Sequence, residues 1–206
     1  MSSIKLKHSG GNSVIIAAPA SNPASDRTLT LPSNADGTVL TTTNPKAGNI
    51  IQVVSTAKTD TASTNSSTFA DVFTVAITPT AASSKFLLFG DLKIGYNNYQ
   101  AAIFWKFVRT VSSSDTDLFI GDSDGSRTRC TWGTEEPSSN SDNAKFELHT
   151  TNGTFLDTPN TTSAITYRVK WKAEQQTAYL NRSGHDSNTI AYQRAASSLT
   201  VMEVAG

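Results

Sequence analysis

The run Gly121-Asp122-Ser123-Asp124-Gly125 is the first place where residue type and spacing suggest chemistry. It has the opening of a calcium loop, which needs further oxygen ligands and a closing Glu at the twelfth position. Counted from Asp122, that position is Gly133, which has no side-chain oxygen. Asp-Gly is also a strong hairpin signal, so a turn is expected and no metal site is assigned. His8, His149 and His185 are scattered, with no second His or carboxylate at ligand spacing on an obvious shared element. The single Cys130 leaves no internal disulfide and no cysteine-based zinc site.

Hydrolysis is the next chemistry to weigh. Glycoside cleavage ordinarily needs two carboxylates facing one bond. The adjacent Glu135 and Glu136 would point to opposite faces if extended, and before Pro137 they read as solvated charge. Asp91, Asp117, Asp122, Asp124, Glu147 and Asp157 show no pairing in the sequence. The chain contains no G-x-S-x-G elbow and no phosphate-cradling glycine loop. No catalytic residue and no cofactor is assigned, and the chain is expected not to be an enzyme.

Binding leaves more traces. Gly95-Tyr96-Asn97-Asn98-Tyr99-Gln100 places two tyrosines and two asparagines in one connection. The long segment from Gly121 to Asn143 carries Arg127 and Trp132, and Asn181 to Asp186, with His185, reads as a hairpin tip. A sugar offers an apolar ring face and many hydroxyls, so aromatic faces beside planar amides suit it. Tyr96, Asn97, Asn98, Tyr99, Arg127, Trp132 and His185 are therefore the candidate ligand-binding residues. A plain alternative is that the tyrosines cap a core and Trp132 plugs one.

Strands must position these loops. Tyr167, Val169 and Trp171 face one way, and Thr166, Arg168, Lys170 and Lys172 the other; this alternation marks a sheet with one wet face. Phe73, Val75 and Ile77 alternate similarly, as do Phe86, Leu88, Leu92 and Ile94. Gly90 in mid-strand predicts a bulge or a close neighbour. Ile50–Val54, Ile103–Phe107, Tyr179-Leu180, Ile190–Tyr192 and Leu199–Val204 complete the set, while the polar stretch TAKTDTASTNSST that follows the first of these, residues 56–68, reads as a loop. No stretch has a helical period. The expected class is all-β, an antiparallel sandwich or jelly-roll-like domain over residues 49–206.

Residues 1–48 are organised differently. The apolar runs Val14–Ala18, Thr28–Leu31 and Thr38–Leu40 are each too short to bury a core alone, and Asn44-Pro45-Lys46-Ala47-Gly48 breaks the chain. Such pieces gain stability when other copies or chains cover them, as in a short β-stem. Ile15-Ile16-Ala17-Ala18-Pro19, Thr28-Leu29-Thr30-Leu31-Pro32 and Gly37-Thr38-Val39-Leu40 resemble the N-terminal segment of tail-fibre and other appendage proteins of bacteriophages, especially cyanophages. The resemblance covers about the first fifth of the chain and carries no catalytic residue. It implies a virion structural protein, anchored to other virion proteins through residues 1–48 and assembled as a homotrimer. It also implies a distal domain that attaches to host cell-surface polysaccharide. A capsid decoration or tail adaptor with a purely assembly role, or a depolymerase, are the other readings.

Composition agrees with an assembling protein. Hydrophobic residues make up 37% and charged residues 17%, both modest, and the formal net charge is zero. Little colloidal repulsion and no basic patch follow, so nucleic-acid binding is not expected. MSSIKLKHSGG lacks the apolar core of a signal peptide, and no run approaches the roughly 18 apolar residues of a membrane span. Synthesis in a host cytoplasm and residence in the virion are the expectations.

Overall fold

In a computed structural model of the 206-residue chain, the structure describes residues 3–17, 20–21, 45–97, 101–135 and 145–206. The chain divides into two compact units, Met1–Val39 and Leu40–Gly206. The stem runs Thr28–Leu31 and Thr38–Leu40 lie outside the described residues.

The first unit contains an antiparallel hairpin of β1 (Ser3–Lys7) and β2 (Ser13–Ala17), in register from Ser3↔Ala17 to Lys7↔Ser13. Its turn closes through His8 N donating to Asn12 O at 2.8 Å, with Gly11 at φ 99°. Ile4 and Leu6 share a face with Ile16, yet they are 64%, 58% and 58% exposed. An isolated two-stranded ribbon is marginal in water, so these side chains need a cover that the hairpin does not supply.

The second unit is an all-β sandwich of antiparallel sheets, as its alternating sequence predicts. Sheet I contains β3 (Ile50–Lys58), β4 (Ala62–Thr64), β6 (Lys85–Tyr96), β10 (His149–Asp157), β12 (Ala178–Leu180) and β13 (Ser197–Val204). The long β6 pairs with β10 along one side, and with β13 and then β12 in tandem along the other. β3 and β4 continue outward from β13 and β12 in the same tandem way. Sheet II contains β5 (Ala70–Ile77), β7 (Ala102–Val111), β8 (Ser114–Leu118), β9 (Trp132–Glu135) and β11 (Ile165–Gln175). Its order is β5-β11-β7, with β8 and β9 sharing the far side of β7.

One core cluster lies between the sheets. Sheet I contributes Phe86, Leu88, Leu92 and Ile94 from β6, and Leu199 and Val201 from β13. Sheet II contributes Trp105 and Phe107 from β7, and Tyr167, Val169 and Trp171 from β11. Full burial of each such side chain contributes roughly 1.5–3 kcal/mol. Gly90 has the close neighbour its position predicts: it pairs with Gly153 across β6 and β10. A Cβ on Gly153 would lie 2.5 Å from the Trp105 ring, and one on Gly90 would lie 3.0 Å from the Phe107 ring. The paired glycines therefore make room in sheet I for two rings of sheet II.

Two local expectations change. Thr56 to Lys58 continue β3, and Ala62–Thr64 form β4, although both were expected to be loop. They lie on the edge of sheet I, where polar side chains face water and still pair in the ladder. Ile190-Ala191-Tyr192 is a turn and not a strand; Ile190 is fully exposed. The break at Pro45–Gly48 belongs to the sandwich: Gly48 N donates to Ala205 O and Ala205 N to Asn49 O, both at 2.8 Å.

Candidate functional site

Three of the candidate binding residues converge at one end of sheet I. Tyr96 is the last residue of β6 and only 1% exposed. Its hydroxyl lies 2.6 Å from His149 Nε2, and Glu147 Oε2 lies 3.1 Å from the same nitrogen. Tyr96 thus offers no ring face to solvent; it braces the start of β10. Asn97 acts locally as well: its Oδ1 accepts from Thr177 N at 2.8 Å, and its own N donates to Thr177 O at 3.2 Å. Asn98 and Tyr99 lie outside the described residues.

His185 reaches this end because two glycines permit it. A Cβ on Gly184 would lie 2.1 Å from Tyr96 O, and one on Gly95 would lie 2.4 Å from Arg182 O. The segment from Arg182 to Gly184 therefore lies directly on the end of β6. His185 N then donates to Lys145 O at 2.7 Å. The His185 ring packs against Phe146 at 5.1 Å and Tyr192 at 4.8 Å, and Phe146 stacks on Tyr192 at 6.0 Å with planes 16° apart. Phe146 and Tyr192 escape sequence reading. Phe146 is a lone aromatic in a polar run, and Tyr192 carries the pattern of a strand.

Arg127 and Trp132 belong with sheet II. Trp132 sits half-buried in β9, opposite Trp105 of β7. Arg127 pairs with Asp124, and Arg129 Nε donates to Gly121 O at 2.7 Å. The Gly121–Gly125 segment is thus tied by its own arginines. Among the described residues, no group of three His, Cys, Asp or Glu converges as a metal site would. Cys130 is half-buried, and burial pushes its thiol pKa up, which keeps it in the unreactive protonated form.

The outer faces of the two sheets differ in kind. On sheet II, Arg168 binds Asp71 at 2.5 Å, Lys170 binds Asp115 at 2.7 Å and Lys106 binds Asp117 at 2.6 Å. This is the wet face expected from the β11 alternation. On sheet I, register places Leu156, Leu87, Met202 and Val53 in one row across all four strand positions. Thr154, Phe89, Thr200 and Ser55 form the next row, and Asn152, Asp91, Ser198 and Ala57 the row after it. Val53 is 53%, Leu156 47% and Phe89 37% exposed. The face grades from apolar to polar toward the His185 end, where Lys93 pairs with Asp91 at 2.5 Å.

The sequence matches no family model and no curated protein. Among solved structures, it is similar to a chain of the infectious bursal disease virus Gt strain, with a TM-score of 0.37 and 13% identity, covering 95% of this chain and 48% of that one. A chain of the Gx strain gives 0.37 and 11%, covering 87% and 42%. A subviral particle of the same virus gives 0.35 and 13%, covering 93% and 51%. The chain spans about half the length of these viral chains. Superposition at such scores carries neither a residue role nor a function across.

Proposed function

We propose that this chain is a non-enzymatic structural subunit of a bacteriophage virion. Residues 1–48 anchor it to other virion proteins, and the sandwich associates with copies of itself through the outer face of sheet I. The His185 end serves attachment to host cell-surface polysaccharide. The observation that carries this reading is the apolar row Leu156-Leu87-Met202-Val53, on a sheet face where Val53 and Leu156 stay about half exposed among the described residues. Contiguous exposed apolar surface of this kind marks an interaction site. Asp91 and Lys93 on the same face neutralise each other, so two copies can meet there without net repulsion. The number of copies, three, is what the resemblance of the N-terminal segment to phage appendage proteins implies, and the outer face of sheet I is where the copies hold together.

The same face supports a capsid decoration or tail adaptor with an assembly role alone, which differs in having no sugar-binding activity. A depolymerase gains no support: Asp157 and Glu203, both fully or nearly buried, hold the fold together. Immunogold labelling of purified phage particles, with mass spectrometry of their proteins, tests the reading. The chain is expected in the particles, at the tail or capsid surface; absence from washed particles overturns the proposal.

A further inference from the structure

The connection between β12 and β13 folds back on itself as a closed loop. Arg182 and Arg194 form a backbone bridge at its base, and Ala195 N donates to Asn181 O at 3.0 Å. Within it, Thr189 N donates to Ser187 O at 2.9 Å and Tyr192 N to Thr189 O at 3.3 Å. Compact loops with joined ends are frequently functional. This one encloses a cleft of about 220 Å³ lined by residues 186–189 and 192–194. That is smaller than the roughly 300–1,000 Å³ of drug-sized ligand pockets, and it suits one ring or a chain end.

The cleft is built as well as shaped. Tyr192 forms an aromatic wall whose position is fixed from behind by Phe146 and His185. The Asp186 carboxylate is held by Arg194 at 2.6 Å and Arg182 at 3.6 Å, so its oxygens are oriented by two guanidiniums. Asn188 and Gln193 add planar amides, and Ser187 and Thr189 add hydroxyls. An aromatic wall beside a fixed carboxylate and two amides matches a ring with one apolar face and several hydroxyls at its rim.

We propose that this cleft is a saccharide subsite that takes a single pyranose unit of a polysaccharide. Tyr192 supplies the stacking face, and Asp186 and Gln193 take the ring hydroxyls. The proposal deepens the attachment reading and rests on it.

Saturation-transfer NMR on the full chain tests it, with methyl glycosides of glucose, galactose, mannose, N-acetylglucosamine and galacturonic acid as probes. At least one glycoside is expected to show transfer to its ring protons. Tyr192→Ala is expected to weaken that binding tenfold or more, whereas Tyr192→Phe, which keeps the ring, retains it. If Tyr192→Ala fails to fold, Gln193→Ala, at an exposed position, is expected to weaken binding severalfold at an unchanged melting temperature. Absence of transfer from every glycoside overturns the subsite. So does binding untouched by these substitutions. Solution mass measured on the same samples separates the two proposals: an oligomer that binds no sugar removes the subsite and leaves the assembly reading in place.

Discussion

Arg109 Nη1 on β7 lies 2.7 Å from Oδ1 and 2.9 Å from Oδ2 of Asp157 on β10, joining sheet II to sheet I. The Asp157 side chain is 5% exposed and that of Arg109 is 19%. Tyr167 on β11 donates its hydroxyl to the same carboxylate at 2.7 Å. A carboxylate so placed is stable only with its partners present. Asp157→Ala strands the guanidinium and the phenol together and is expected to cost about 3–5 kcal/mol. Urea melts check this, and the double variant Arg109→Met with Asp157→Ala is expected to cost less than the two single changes added together.

Tyr167 gives a signature at alkaline pH. Burial pushes its pKa far above the ordinary value, and the Asp157 charge and hydrogen bond push it further, against a smaller opposing pull from Arg109. The folded protein keeps the phenol neutral, whereas the unfolded chain ionises near pH 10. The stabilisation is therefore complete below about pH 10 and falls above it, by about 1.4 kcal/mol per pH unit. Tyr167→Phe is expected to remove this component of the alkaline slope in melts between pH 9 and 11.

Glu203 acts at the acid end. Burial raises its pKa, but the Ser84 hydroxyl beside it and donors from Thr80 and Gln52 outweigh burial and hold it below the usual carboxylate value. Thr80 N donates at 2.7 Å, Thr80 Oγ1 at 2.6 Å and Gln52 Nε2 at 2.5 Å. Because the folded pKa is lowered, this stability is present above about pH 4.3, the unfolded value, and is lost as pH falls through the folded pKa. Glu203→Gln is expected to flatten the acid limb of the stability curve. At neutral pH, Glu203→Ala removes the acceptor of these part-buried hydrogen bonds and is expected to cost about 1–3 kcal/mol in all.

Gly153→Ala tests the close approach of the two sheets. Its Cβ would meet the Trp105 ring at 2.5 Å and the Phe107 ring at 2.9 Å. The Trp105 indole is fixed by Nε1 donating to Thr151 Oγ1 at 2.9 Å, so it cannot swing away cheaply. A loss of about 1–3 kcal/mol is expected from overpacking. Thermal melts check it, with Thr154→Ala on the outer face of the same strand as the near-neutral control.

The sequence announces strands wherever one face is wet and the other dry. Tyr167, Val169 and Trp171 of β11 are the clearest case, and the core of sheet II follows from them. Gly90 predicted its neighbour because a glycine in a strand has few other uses. The C-terminal part of β3 and the short β4 were hidden, since an edge with water on it needs no apolar alternation. The β7–β8 turn was equally silent: Ser112 and Ser113 take φ of 48° and 66° without the usual Asn-Gly signal. At the candidate site, His185 and its loop were legible as a turn cluster. Phe146 and Tyr192 were not: Phe146 stands alone in a polar run, Tyr192 reads as part of a strand, and only loop closure through Arg182 and Arg194 brings them together.

The central claim is that the outer face of sheet I joins copies of this chain. The most direct test is the solution mass of the purified chain by light scattering on a sizing column, alongside Leu87→Asp and Val53→Asp. Both positions point outward and contribute little to the core, so the variants are expected to stay folded by circular dichroism. The wild-type chain is expected at three times its sequence mass, and the two variants at the monomer mass or nearly so. A wild-type monomer, or a trimer that both aspartates leave intact, contradicts the claim.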